Sequence, residues 1–138
     1  MTCTFYWDSG SELWFCKQGT FPEYLKQPAR GRLQGATGAT SQIKSKVKIS
    51  NMEIFEVENI TSCLASVADT CKQFQLKIIF DNEGVYMCSN HVKVPKSTRI
   101  GTFDSKVGLY KVDNNFFRKL KSYQKAIQSN HHTIDLKG

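Results

Sequence analysis

The chain has 138 residues, enough for one domain or for one domain with a long arm, and its 40% hydrophobic residues can fill a core. This content argues against wholesale disorder. Lysine and arginine number 19 against 12 acidic residues, and the net charge of +7 favours polyanionic partners such as nucleic acid, an anionic membrane face or an acidic protein.

Residues 1–50 carry two short apolar runs, followed by a stretch with little capacity to pack. The runs, at residues 4–7 and 13–16, flank a turn sequence that contains Gly10, which predicts a β-hairpin. Prolines, glycines and other small residues between Pro22 and Thr40 predict a flexible linker. Residues 43–49 alternate imperfectly and predict a basic edge strand.

The patterns sharpen from residue 51 onward. Residues 52–58 are predicted to form a strand, and Asn59 is predicted to cap a helix over residues 60–72. The apolar residues of this helix share one stripe at helical spacing: Ile60, Cys63, Leu64, Val67, Ala68 and Cys71. Residues 74–80 and 85–88 predict a hairpin, and short strands are predicted near residues 91–94 and 106–112.

A second helix is predicted to begin after Asp113 or Asn114, one of which caps it, and to run to about residue 128. Its buried stripe consists of Phe116, Leu120, Tyr123 and Ile127. Residues 132–136 predict a final strand. We therefore predict an α+β fold in which residues 51–138 pack two helices on a mainly antiparallel sheet. Residues 1–50 are predicted to form a separate hairpin, a flexible linker and a basic strand.

The cysteine content bears on the cellular compartment. Five cysteines occur at irregular spacing: Cys3, Cys16, Cys63, Cys71 and Cys88. An odd count of this kind argues against a secreted disulfide framework and predicts free thiols in the cytosol or nucleus. The N-terminus lacks the layout of a signal peptide, and no apolar run reaches the length of a membrane span. We expect an intracellular protein that is not secreted and has no membrane partner.

Candidate chemistry is sparse. Cys88 and His91 form a C-x2-H pair, with His131 and His132 downstream, but a structural zinc site needs four ligands. A Cys88–His91 nucleophile is the other alternative, although nothing in the sequence orients this pair or lowers the thiol pKa. We therefore expect no enzyme activity, no catalytic residue, no metal and no cofactor.

The basic surface is the stronger signal. Residues 91–125 contain nine cations and two acids. Arg118, Lys121 and Lys125 are predicted to share one face of the second helix, with Lys119 beside them. Such a face binds phosphates rather than reading bases, and a solvated face that serves solubility is the alternative. Most aromatic residues fall on the predicted buried stripes, so stacking on single strands is less favoured.

Several segments resemble the first domain of sliding clamps of the proliferating cell nuclear antigen type. The similar segments are Met52-Glu53-Ile54-Phe55-Glu56-Val57 (opening strand), residues 60–72 (first helix), Phe80-Asp81-Asn82-Glu83-Gly84-Val85-Tyr86-Met87 (hairpin turn), Asn115-Phe116-Phe117-Arg118-Lys119-Leu120-Lys121-Ser122 (second helix) and His132-Thr133-Ile134-Asp135-Leu136 (last strand). The resemblance implies a protein without catalytic chemistry that encircles duplex DNA and tethers polymerases. The helices would face the DNA, and the inner cations would be Arg118, Lys121, Lys125, Lys72 and Lys77.

The resemblance covers residues 52–138, without the second domain and interdomain connector of that family. Residues 1–50 have no counterpart in it, so the resemblance implies a permuted domain, a fragment or a diverged relative. We expect a non-catalytic, nucleic-acid-associated binding protein, clamp-like, with duplex DNA held by its phosphate backbone. Other proteins and further copies of the chain are additional expected partners. The alternative is a regulatory module that binds an acidic protein.

Overall fold

The computed structural model describes residues 3–35, 38–90 and 97–137, with side chains up to residue 126. The described chain forms eleven strands: β1 (Phe5–Asp8), β2 (Trp14–Lys17), β3 (Lys26–Pro28), β4 (Arg32–Gln34), β5 (Thr40–Ile49), β6 (Met52–Val57), β7 (Cys63–Ser66), β8 (Leu76–Phe80), β9 (Gly84–Ser89), β10 (Thr98–Asp104) and β11 (Leu109–Val112). The helices are α1 (Val67–Phe74) and α2 (Phe116–Lys137), and a 3-10 turn covers Glu23–Leu25.

All eleven strands belong to one open sheet. Its order is β3-β5-β6-β2-β7-β1-β11-β10-β9-β8, and β4 pairs with β5 beside β3. The β1–β7 and β2–β6 contacts are parallel, and the other strand pairs are antiparallel. The prediction of an α+β fold with two helices on a mainly antiparallel sheet is confirmed. Strands from residues 1–50 and from residues 51–138 alternate within this sheet.

The two strands of the predicted N-terminal hairpin form, but they do not pair with each other. Strand β7 lies between them, parallel to β1 through Phe5 and Cys63 and antiparallel to β2 through Phe15 and Leu64. The hairpin prediction is therefore wrong. The five residues between β1 and β2 can span about 20 Å from Asp8 to Trp14, which is ample for the roughly 10 Å that separates strands two positions apart.

The first helix begins later than predicted. Residues 60–62 precede β7, and α1 starts only at Val67. Asn59, with a φ of 58°, does not cap this helix. The cap is Ser66, whose hydroxyl oxygen accepts a hydrogen bond from the backbone N–H of Asp69 at 2.9 Å. Cys63 and Ala65 are buried by strand alternation, whereas the predicted helical stripe contained Cys63 together with Leu64, which projects from the other face of β7.

The second helix begins at Phe116, close to the predicted start, and continues to Lys137. The predicted strand over residues 132–136 is therefore wrong. No glycine or proline occurs between residues 116 and 137 to end the helix. The hairpin of β8 and β9 is confirmed, with Phe80 paired to Val85. Strand β10 was not predicted from the sequence. The strand predicted near residues 91–94 lies outside the described residues.

The predicted linker contains regular structure. Strands β3 and β4 both pair with β5, which is the strand predicted from residues 43–49. The strand prediction is confirmed, but β5 is not an edge, because β6 covers its other side. Backbone pairing therefore orders a stretch whose side chains contribute little to the core.

The core lies on one face of the sheet, which we name the covered face because both helices pack there. Trp14 donates its indole N–H to the Thr70 hydroxyl of α1 at 3.0 Å and stacks on Phe116 of α2 at 5.8 Å between ring centroids. Trp7 meets Phe116 edge to face at 5.0 Å. We name the opposite side the open face. The two helices are thus held side by side over the central strands.

The prediction of five free thiols is wrong for two of them. Cys3 and Cys63 form a disulfide that joins positions 60 residues apart. The parallel pairing of Phe5 with Cys63 brings the start of β1 next to the start of β7, a long-range contact that cysteine counting does not reveal. The remaining cysteines, Cys16, Cys71 and Cys88, are free.

Candidate nucleic-acid interface

The outer face of α2 carries a cluster of exposed cations. Phe116 and Leu120 are fully buried and fix the rotation of the helix. At 100° per residue, Arg118, Lys121 and Lys125 then fall within about 60° of one another, opposite the buried stripe. All three are exposed, and none forms an ion pair with a described carboxylate. The predicted placement of these three residues on one helix face matches the structure.

Lys119 has a different environment. Its ammonium group donates a hydrogen bond to the backbone carbonyl of Arg99 and lies 3.8 Å from Asp113 Oδ2. Arg99 Nε donates to the same carboxylate oxygen at 3.1 Å. This network fixes the start of α2 to β10, so the charge of Lys119 is largely committed within the protein.

Lys72 extends the cationic surface to α1. Thr70 and Phe74 are buried, which turns Lys72 towards solvent. The C-terminal end of α1 meets α2, where the Tyr123 hydroxyl donates to the Gln75 carbonyl at 3.4 Å. Lys72 therefore belongs to the same layer of helices as Arg118, Lys121 and Lys125.

Lys77 does not join this group. It follows Leu76, which is buried in the core on the covered face. Because successive side chains in a strand point to opposite faces, Lys77 projects from the open face. Lys72 thus lies on the same side of the sheet as the three exposed cations of α2, whereas Lys77 lies on the other side.

A buried charge cluster was missed by the sequence analysis. Glu56 is 4% exposed, and its carboxylate accepts hydrogen bonds from Lys26 at 2.9 Å, Ser45 at 3.1 Å and the backbone N–H of Gly19 at 3.2 Å. Hydrogen bonds to Glu23 and Glu56 raise the pKa of Lys26. Because side chains alternate between the two faces of a strand, Glu56 shares a face with the buried Met52 and Ile54. This spacing was visible in the sequence and could have predicted a buried Glu56. With its partners in place, the carboxylate holds the segment after β2 against the sheet.

Two of the three free thiols, Cys16 beside this cluster and Cys71 in α1, are poor nucleophiles. Burial, together with the negative charge of Glu56, raises the pKa of Cys16 to about 12. Burial also raises the pKa of Cys71. Thiolate is the reactive form, so both groups stay protonated and inert at neutral pH.

Only some of the residues predicted for a zinc site or for a Cys88–His91 nucleophile lie among the described side chains. Cys88 is buried in β9, whereas His91 and the side chains of His131 and His132 lie outside the described residues. Among the described side chains, no three His, Cys, Asp or Glu residues converge as metal ligands. Neither described helix combines the length and the apolar composition of a membrane span.

No protein-family model matches the chain, and no curated protein has a significantly similar sequence.

Proposed function

We propose that this protein is a non-catalytic binding protein that holds duplex DNA by its phosphates through the outer face of α2. The observation that carries the proposal is the exposure of Arg118, Lys121 and Lys125 on one helix face with no ion pair to a described carboxylate. Cations left unpaired on a rigid helix are available to replace the counterions of a polyanion.

The dimensions of this face suit contacts with a few phosphates. Arg118 and Lys125 are separated by about 10 Å along the helix axis. Three long side chains spread over this distance, joined by Lys72 on α1, would neutralise about three or four phosphates. Contacts of this kind position a protein on DNA without reading its sequence.

A sliding-clamp-like role is the form of this function that we propose. Two helices on one face of a sheet, with cations pointing away from it, is the arrangement that the resemblance implies. From Cys63 onward the described elements run strand, helix, four strands and helix, so in this proposal β7 is the opening strand and β6 is not. A clamp would need further copies of the chain to close a ring. Retention on closed circular DNA, with release after linearisation, tests this form.

Fluorescence anisotropy with a labelled duplex over a salt series tests the binding itself. We expect Lys121→Glu/Lys125→Glu to weaken duplex binding at least tenfold and to reduce the log–log salt slope by about 1.8, at about 0.9 per lost phosphate contact. Arg30→Glu/Arg32→Glu is the matched control, because it changes the charge equally at exposed positions in and beside β4. Equal losses in both variants, or no binding at low salt, would contradict the proposal.

A second candidate function is a module that binds an acidic protein. The observation that favours it is an apolar surface at the β10–β11 turn, where Phe103, Val107 and Leu109 are 42%, 53% and 44% exposed. Solvent-exposed apolar groups suit a protein partner better than a phosphate backbone. Val107→Asp should then abolish partner binding without affecting the duplex, and heparin should compete only weakly.

A further inference from the structure

A continuous row of paired residues crosses the open face of the sheet. The consecutive partners, from β5 to β11, are Lys46, Phe55, Phe15, Leu64, Tyr6 and Lys111. Directly paired residues project from the same side of a sheet. Their neighbours along the strands, among them Trp7, Trp14 and Ile54, belong to the core on the covered face. All six members of this row, which we name the transverse row, therefore project from the open face.

The middle of the transverse row is apolar and aromatic. The rings of Phe15 and Phe55 lie 6.3 Å apart, and Leu64 separates Phe15 from Tyr6. Phe15 is only 6% exposed, whereas Phe55, Leu64 and Tyr6 are half-buried and keep accessible surface. The solvated face of an antiparallel sheet is normally polar, and no described helix packs on this one. The rings in this apolar centre offer accessible surface on which the flat groups of a ligand can stack.

Lysines bracket this aromatic centre. Lys46 and Lys111 lie five strand steps apart, about 24 Å. Lys17 follows Phe15 by two residues and lines one groove of about 330 Å³ together with Tyr6. Lys17 and Lys111 are exposed and form no ion pair with a described carboxylate, whereas Lys46 is paired with Glu53.

Two carboxylates lie on the same face: Glu53, which is paired with Lys46, and Asp8, which lies near Tyr6. The Asp8 side chain is committed locally, since Oδ1 accepts a hydrogen bond from the Gly10 N–H at 2.8 Å. Lys46 and Glu53 neutralise each other, so two free lysines near the aromatic centre remain against the carboxylate of Asp8. The local charge favours an anionic ligand.

We propose that the transverse row is a binding site for single-stranded nucleic acid, separate from the duplex site on α2. Unpaired bases would stack on Phe55 and Tyr6, and Lys17 and Lys111 would contact the phosphates. A duplex offers no free base faces to these rings. A second copy of the chain, stacked face to face, would bring unpaired lysines against unpaired lysines. A single strand satisfies both the rings and the charges.

Anisotropy with a labelled oligo(dT) of about twelve nucleotides tests this site. We expect Lys17→Glu/Lys111→Glu to weaken oligo(dT) binding at least tenfold and to reduce the salt slope by about 1.4. Tyr6→Leu keeps the apolar volume but removes the ring, and should weaken binding at least about fivefold. Both variants should leave duplex binding within twofold of the unmodified protein, and a parallel arm with oligo(U) shows whether the 2′-hydroxyl is preferred.

The matched control is Lys77→Glu/Lys106→Glu, which makes the same charge change on β8 and in the β10–β11 turn, away from Tyr6. The proposal is overturned if this control weakens oligo(dT) binding as much as Lys17→Glu/Lys111→Glu does. It is also overturned if Lys121→Glu/Lys125→Glu removes single-strand and duplex binding together, or if sedimentation shows a dimer that Tyr6→Leu dissociates while oligo(dT) does not bind. Because both lysines are exposed, loss of folding does not obscure the first comparison.

Discussion

The two faces of the sheet use the same residue types for different ends. On the covered face, aromatic side chains such as Trp14 and Phe116 are completely buried and contact one another. On the open face, Phe55 and Tyr6 keep accessible surface beside lysines. Buried area contributes to stability, whereas area left in water remains available for a ligand. Aromatic content alone therefore does not distinguish core residues from ligand-binding residues; the strand register is needed to assign each ring to a face.

The sharpest way to break this comparison is to remove one aromatic ring from each face. Trp14→Ala should lower the free energy of unfolding by about 4 kcal/mol, because it opens a cavity and leaves the Thr70 hydroxyl without the indole donor. Tyr6→Leu should cost less than about 1 kcal/mol, since the ring is half-buried. Urea denaturation of both variants measures the difference, and similar losses would contradict the distinction between the faces.

Ion pairs allow the same comparison with charged groups. Glu56→Gln should cost about 3 kcal/mol, because it breaks a buried pair with Lys26 and leaves that ammonium with Glu23 alone. Glu53→Gln on the open face is the matched control, and its pair with Lys46 is exposed enough for a loss below about 1 kcal/mol. The same denaturation series measures both variants. A smaller loss for Glu56→Gln than for Glu53→Gln would show that the buried pair is not stabilising.

Local sequence patterns predicted individual strands and helices better than they predicted which strands pair in the sheet. Turn residues between two apolar runs were enough for β8 and β9, and one buried stripe was enough for the start of α2 at Phe116. The place of β7 between β1 and β2 depends on pairing between residues more than 45 positions apart, as for Phe5 with Cys63. No local period encodes such a contact.

The residues of the candidate site also differ in whether local spacing or tertiary contacts determine their environment. Arg118, Lys121 and Lys125 follow from helical spacing alone, and the structure places them together. Lys119 could not be assigned from spacing, because its partner Asp113 and the Arg99 carbonyl are tertiary contacts. The transverse row was equally hidden, since its members come from six strands that are mostly distant in sequence.

Exclusion of water from the covered face also predicts a pH dependence. Cys16 has a pKa raised from 9.0 to about 12, so the folded state holds its proton where the unfolded state releases it. Stability is then complete below pH 9 and falls as the pH rises from 9 towards 12. Between pH 8 and 10 the loss should be about 1.4 kcal/mol.

Thermal unfolding at pH 8, 9 and 10 measures this loss. The matched variant is Cys16→Ala, in which the decline with pH should become shallower because the titrating thiol is gone. An identical decline in both proteins would mean that Cys16 is not the group responsible.

The smallest expected effect concerns the cap that anchors α1 on the covered face. The Ser66 hydroxyl accepts from the Asp69 N–H and donates to the Ser11 carbonyl at 2.6 Å. Ser66→Ala should therefore destabilise the protein by about 1 kcal/mol. Ser9→Ala, at an exposed position, should have almost no effect. Because α1 has only eight residues, a loss at Ser66 as small as at Ser9 would mean that packing of Phe74 holds the helix, and that the cap merely marks its first residue.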